Sequence, residues 1–299
     1  MKLRVATRPS RLSLLQVEEA LGYINSVRPG LKFEIVKVST LGDRVRDKPI
    51  HRIGRIGVFE KEVDRAVMDG RADVAVHSLK DLPSKLPGDL EIVAVPPRGD
   101  PRDSIIPPPP PGGLRPGARV GTSSIRREAL TRLYYPQARV EVLRGNVDTR
   151  LRKLREGLYD HVILAEAGLR RLGASIERLT LPPEKWPPAP GQGLIAVVAP
   201  RGSRAAEVLA GATHKPSHAM AEAERGLLRG LGVGCRLPVG GYSYVKGTVI
   251  VVRGAYIDPG EGITWVEAKG DLEKARAVGE EAGARLQRIL EARGLLEAS

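Results

Sequence analysis

One cysteine in 299 residues rules out an intrachain disulfide. A single thiol fits a reducing compartment, and a cytoplasmic setting is expected. Aromatic residues make up only 4% of the chain. With so few rings, and no recognition helix or RNA-binding signature, binding by stacking on bases is not expected. No apolar run approaches the length needed to cross a bilayer, so no membrane partner is expected. Met1 to Arg8 contains no apolar stretch of the secretory kind. Cysteine and histidine never cluster at metal-binding spacing, so no metal site is expected. Asn and Gln are scarce while Arg and Pro are frequent, a balance that points to a thermophilic source. Acids are outnumbered: 48 Lys and Arg against 35 Asp and Glu give a net charge of +13, which attracts polyanions and small acids alike.

What is present reads as alternating strands and helices. Leu3–Thr7 is a buried strand, Ser10 an N-cap, and Leu14 to Ile24 recur at helical spacing up to Pro29-Gly30. Phe33–Val38 completes a βαβ unit. Thr40 to Gly57 is polar and glycine-rich with no apolar period, and reads as a lid loop carrying Arg52 and Arg55 ahead of Phe59. Ala72–Val76 is a third strand. It runs into His77-Ser78-Leu79-Lys80-Asp81-Leu82-Pro83, where the Leu-Pro step stops the ladder and leaves Asp81 at a carboxyl end. Open α/β sheets bind ligands at that end.

Pro96 to Gly117 contains five consecutive prolines and reads as a stiff extended crossing between domains. The pattern then restarts: strand 118–121, helix Ile125–Tyr134, strand 140–143, helix 147–157, strand 161–165. A second proline-rich passage, Leu181 to Gly193, leads to the strand Leu194–Val198 and back to the first half. Pro216–Leu231 is a helix. Strands around 242–245, 249–255 and 264–268 precede a last helix from Asp271 to about Arg293. The expected fold class is α/β, with two α/β lobes and a small C-terminal α+β domain. The boundaries are 1–97 plus 193–214, 98–192 plus 215–234, and 235–299.

In both halves a strand ends in a hydroxyl-and-arginine turn that opens a helix. Arg8 and Ser10 form one turn; Thr122, Ser123, Ser124, Arg126 and Arg127 form the other, and Arg144 and Arg150 flank a third helix start. Helix N-termini offer free N–H groups, and guanidinium forks suit carboxylate or phosphate. Each arginine alone could be a solvated surface charge; as a set at strand ends they point to an anionic ligand. Spacing does not separate carboxylate from phosphate. Asp81 is the one acid in that basic company. It either caps its turn or stabilises a developing cation. Cys235 lies among Gly232, Gly234, Gly240 and Gly241 beside Arg236, which favours the reactive thiolate. A lone cysteine is more commonly a small buried hydrophobe.

Six blocks in order resemble the porphobilinogen deaminase family: Ala6–Ser10, Val76–Pro83, Val120–Arg127, Leu143–Leu151, Pro190–Gly193 and Gly234–Gly240. The resemblance implies two lobes of the type II periplasmic-binding-protein kind followed by a third domain. It implies a dipyrromethane cofactor joined to Cys235 by a thioether, and porphobilinogen as small-molecule substrate. Four porphobilinogen units would add head to tail, with loss of ammonia and release of hydroxymethylbilane. By similarity Arg8, Ser10, Lys80, Thr122, Ser124, Arg126, Arg127, Arg144, Arg150, Arg171 and Gln192 line the ligand cleft, and Asp81 faces the pyrrole N–H groups. A monomer is expected by the same resemblance. Three positions depart from the family pattern: Ile56 where a lid lysine is usual, Arg236 for glutamine, and Asp148 for glycine. Arg52 or Arg55 is expected to supply the missing lid cation. The competing readings are a two-lobed anion-binding protein without catalysis and a nucleic-acid-binding protein resting on the +13 charge.

Overall fold

The computed structural model describes residues 1–39, 61–232 and 237–296. The lid with Arg52, Arg55 and Phe59, and the segment with Cys235 and Arg236, lie outside them. Contacts divide the chain into two compact units, Met1–Gly99 with Leu194–Ala221 and Asp100–Gly193 with Glu222–Ser299.

The first unit is built on the strands β1 (Lys2–Thr7), β2 (Lys32–Lys37), β3 (Val74–Ser78), β4 (Leu90–Ala94) and β10 (Ile195–Pro200), in the order β2-β1-β3-β10-β4. β1 is parallel to β2 and β3, whereas β10 is antiparallel to β3 and β4. Helix α1 (Arg11–Val27) makes the crossover from β1 to β2. Val17, Ala20 and Ile24 face Leu3, Val5, Val76 and Ile195 on one side of the sheet. Ala6, Ala75 and Val198 meet Val63, Ala66 and Val67 of α2 (Lys61–Met68) on the other. The strands are apolar on both faces, as a sheet covered by helices on both sides requires.

The second unit repeats the plan with β5 (Asp103–Ile106), β6 (Arg119–Thr122), β7 (Arg139–Val142), β8 (His161–Ala165) and β9 (Leu179–Thr180), in the order β7-β6-β8-β5-β9. Again the first three strands are parallel and the inserted strand, here β5, is antiparallel to its neighbours. Helices α3 (Ile125–Tyr134), α4 (Val147–Arg155) and α5 (Glu166–Arg171) follow β6, β7 and β8. One expectation fails here. Pro96 to Gly117 is not simply an extended crossing, because Asp103–Ile106 within it is a buried strand between β8 and β9. The proline run begins only at Pro107, directly after the strand has ended.

The first unit closes with α6 (Arg204–Leu209), and α7 (Lys215–Leu231) runs through the boundary at Ala221. The antiparallel sheet β11 (Val239–Lys246), β12 (Val249–Asp258) and β13 (Gly262–Asp271) packs against α8 (Ala275–Ala292) through Val266, Leu286 and Leu290. The helices α7 and α8 meet backbone to backbone. A Cβ on Gly279 would collide with the Ala223 carbonyl oxygen and lie 2.8 Å from its carbon. Gly226, Gly230 and Gly283 are equally closed by the facing helix.

Candidate active site

In the first unit, β1 and β3 are adjacent and parallel, with Ala6 beside Ala75, so the turns after Thr7 and Ser78 emerge at the same carboxyl edge. Ser10 caps α1: its Oγ accepts the Ser13 N–H at 3.2 Å and lies 2.7 Å from Ser13 Oγ. Arg8 stands half-buried between strand and cap. Across the edge, Leu79–Asp81 form a single 3-10 turn closed by the Leu82 N–H donating to Leu79 O at 3.1 Å. Backbone alone closes that turn. Asp81 is exposed, and its carboxylate has no hydrogen-bond partner among the described residues. An acid that supports no local structure is available for chemistry. Lys80, half-buried, sits beside it. Gln16 of α1 donates to Ser78 Oγ at 2.7 Å and ties the two turns together. His77 is a buried strand residue, its Nε2 2.9 Å from Asp64 Oδ1, in keeping with a packed rather than a ligand role. Thr7, 1% exposed, carries a hydroxyl with no partner among the described residues, a feature that nothing in its sequence context signals.

In the second unit three parallel strands bring three turns to one edge. Ser124 caps α3 by accepting the Arg127 N–H at 3.4 Å, and the Ser124 N–H donates to Thr122 Oγ1 at 3.2 Å. Ser123 donates its hydroxyl to Leu143 O at 2.6 Å, joining the turn after β6 to that after β7. Asn146 caps α4 through its Oδ1, which accepts the Thr149 N–H at 2.9 Å. Gly145 sits at φ 109°, where Thr149 leaves no room for a Cβ. Arg150 Nε donates to Gly145 O at 2.8 Å, which folds that guanidinium back over the turn bearing Arg144. Arg171, at the end of α5, donates to Gly193 O at 2.9 Å.

Arg126, Arg127 and Gln192 have a setting that the sequence does not announce. All three are buried around Asp103, which is 0% exposed. Arg126 Nη1 reaches Asp103 Oδ2 at 2.9 Å and Pro187 O at 2.7 Å. Arg127 grips both carboxylate oxygens, Nη2 to Oδ1 at 2.7 Å and Nε to Oδ2 at 3.2 Å, and donates Nη1 to Ile163 O at 2.9 Å. Gln192 Nε2 adds 2.8 Å to Oδ1, and the Trp186 indole adds 3.2 Å to Oδ2. Burial by itself would raise the Asp103 carboxyl; the charges of Arg126 and Arg127 outweigh it and hold the group well below the usual carboxylate range. Burial, in turn, lowers Arg126. A second buried acid, Glu224 of α7, accepts the Gly191 N–H at 2.6 Å and the Ser243 N–H at 2.7 Å, so Gln192's loop and β11 share one anchor. Sequence reasoning missed both acids. The only trace of Asp103 is an acid placed directly before Ser-Ile-Ile in a proline-rich stretch.

No group of three or more His, Cys, Asp or Glu suited to a metal occurs among the described residues, and no helix among them is long and apolar enough to cross a membrane.

The chain is similar to known proteins of one family. Residues 3–207 match the family model described as porphobilinogen deaminase, dipyromethane cofactor binding domain, and residues 219–288 match the porphobilinogen deaminase C-terminal domain. A probable porphobilinogen deaminase of Aeropyrum pernix is 49% identical over 298 residues, 97% of each chain. One from Hyperthermus butylicus is 45% identical over 304 residues, 99% of each. The porphobilinogen deaminase of Roseiflexus castenholzii is 43% identical over 257 residues, 84% of each. Among solved structures, the BvgS VFT2 domain of Bordetella pertussis is 20% identical, covers 71% of this chain and 85% of its own, and superposes with a TM-score of 0.41.

Proposed function

Because the chain belongs to the porphobilinogen deaminase family, we propose that it joins four porphobilinogen molecules head to tail on a dipyrromethane primer held by Cys235. Ammonia leaves at each addition and hydroxymethylbilane at the end. The fold class is the family's: two α/β lobes of the type II periplasmic-binding-protein kind and a small C-terminal α+β domain. The family assignment carries dipyrromethane as the cofactor. The side chains present suit such a group. Arg126 is buried with Nε and Nη2 unpartnered among the described residues, which fits an acidic substituent. When bound, dipyrromethane supplies the electron-rich pyrrole carbon that attacks incoming substrate.

The protein's own residues supply charge. Breaking the aminomethyl C–N bond of porphobilinogen expels ammonia and leaves an electron-poor carbon. Asp81, exposed and without a hydrogen-bond partner among the described residues, stabilises that positive charge, and Lys80 sits beside it. Arg8, Ser10, Arg144, Arg150 and Arg171, with the α3 N-terminus at Thr122 and Ser124, receive acetate and propionate groups at strand carboxyl ends. Arg52 or Arg55 replaces the lid lysine at Ile56. A monomeric, cytoplasmic enzyme that binds neither nucleic acid nor membrane completes the proposal.

The observation that carries the reading is the family match along the chain, joined to an uncommitted Asp81 at the carboxyl end of β3. An intact mass exceeding the bare chain by two linked pyrroles, lost in Cys235→Ala together with turnover, is the expected result. A bare chain mass with full turnover overturns it. A two-lobed anion-binding protein without catalysis accounts for the arginines but not for the family assignment.

A further inference from the structure

We infer that Asp103 is a positioning residue for this reaction, a buried carboxylate that sets the direction of Arg126. The inference rests on the function proposed above. Every nitrogen of Arg127 is already engaged: Nε and Nη2 on Asp103 and Nη1 on Ile163 O. Its neighbour is used on one side only. Arg126 Nη1 is shared between Asp103 and Pro187 O, while Nε and Nη2 have no partner among the described residues, on a side chain 5% exposed. Two guanidiniums and one carboxylate leave the cluster with a net charge of +1. Buried positive charge with an open N–H edge is complementary to one further carboxylate.

Asp103 thus has two effects. It neutralises Arg127, which would otherwise repel Arg126 at close range, and it fixes the Arg126 fork through a bond at 2.9 Å. Gln192 and Trp186 add a donor to each carboxylate oxygen, 2.8 Å to Oδ1 and 3.2 Å to Oδ2, which further fixes its orientation. Gln192 is itself 1% exposed, with Nε2 also 2.7 Å from Pro101 O. Its amide braces Asp103, although the sequence suggests a direct ligand contact. Sequence position hides all of this, because Asp103 lies in the passage that reads as linker.

The test compares wild type, Asp103→Asn, Asp103→Glu and Trp186→Phe for KM and kcat with porphobilinogen, with thermal melting measured alongside. Asp103→Asn keeps the shape and removes the charge. Its expected KM is about tenfold or more above wild type, the loss of one well-placed charged hydrogen bond, with kcat per loaded enzyme changed less. Asp103→Glu recovers part of that KM. A lower melting temperature with KM unchanged means a purely structural role and overturns the inference. If Asp103→Asn does not fold, Trp186→Phe decides. It removes one donor to the same carboxylate and keeps an aromatic ring, so KM rises about two- to threefold; an unchanged KM refutes the inference. Wild type that does not consume porphobilinogen overturns the proposed function and this inference with it. Active wild type with indifferent variants overturns the inference alone.

Discussion

Replacing Gly279 by alanine sets two effects of opposite sign against each other. Alanine in a helix interior is favoured over glycine by about 1 kcal/mol. Against this, the new Cβ would overlap the Ala223 carbonyl of α7, 2.8 Å from its carbon where about 3.5 Å is ordinary contact. The obstacle is backbone, so no side chain can swing away. The two helices must separate or rotate, and Gly226, Gly230 and Gly283 lose their close fit together. Overpacking of this kind costs about 1–3 kcal/mol, with backbone contacts toward the upper end. The net expectation is destabilisation by about 1–2 kcal/mol, a drop of a few degrees in the melting transition of the second unit. Gly22→Ala is the control. Gly22 lies within α1 with nothing within 4 Å of a Cβ, so the same substitution there should raise stability by up to about 1 kcal/mol. Calorimetry on the two variants gives shifts of opposite sign. If Gly279→Ala also raises the melting temperature, the close apposition of α7 and α8 is wrong.

Other outcomes follow from single side chains. Asp81→Asn should lower kcat by about 100-fold or more and leave melting unchanged, since its carboxylate has no hydrogen-bond partner among the described residues; an active variant removes Asp81 from the chemistry. Ser10→Ala removes the α1 cap and should cost about 1 kcal/mol, visible in chemical denaturation of the first unit. Glu166 is buried. Burial would raise it, but bonds from Arg178, Arg170 and Ser104 prevail and hold it at about 2 against a usual 4.5. A depressed folded value stabilises above pH 4.5 and is lost as pH falls toward about 2. The melting gap between wild type and Glu166→Gln should therefore be full at neutral pH and close over that window; a gap independent of pH contradicts the pairing.

Much of the scaffold is visible in the residues themselves. Ser124 followed by an apolar period gives α3 its observed limits, Ile125–Tyr134, and the strand His161–Ala165 is as expected because Val162–Ala165 is an unbroken apolar run. The carboxyl-edge turns at Ser10, Ser124 and Asn146 follow from cap chemistry. Less legible is what the caps lie against. The buried arc of α3 begins with Arg126 and Arg127, and local pattern assigns arginines to the surface. The charge that makes their burial tolerable is an acid 23 and 24 positions earlier, on a strand of four residues. Such pairings depend on tertiary neighbours, and periodicity carries no record of them. Glu224 escaped for the same reason, since a glutamate on a long helix reads as solvated until Gly191 and Ser243 are placed over it.

The route of β10 has a consequence for biosynthesis. The first sheet needs Ile195–Val198 as an inner strand between β3 and β4, yet the ribosome makes those residues only after the whole of Asp100–Gly193. At about 5–20 residues per second, an open sheet edge on β3 waits several seconds for its partner. A nascent chain ending near Gly99 would expose that edge and be prone to aggregation. The second unit's sheet, whose inserted strand β5 comes first in sequence, is complete once Thr180 emerges. Translation order therefore favours that second sheet as the first of the two to form, and the amino-terminal sheet must stay unfinished until Ile195–Val198 have been made.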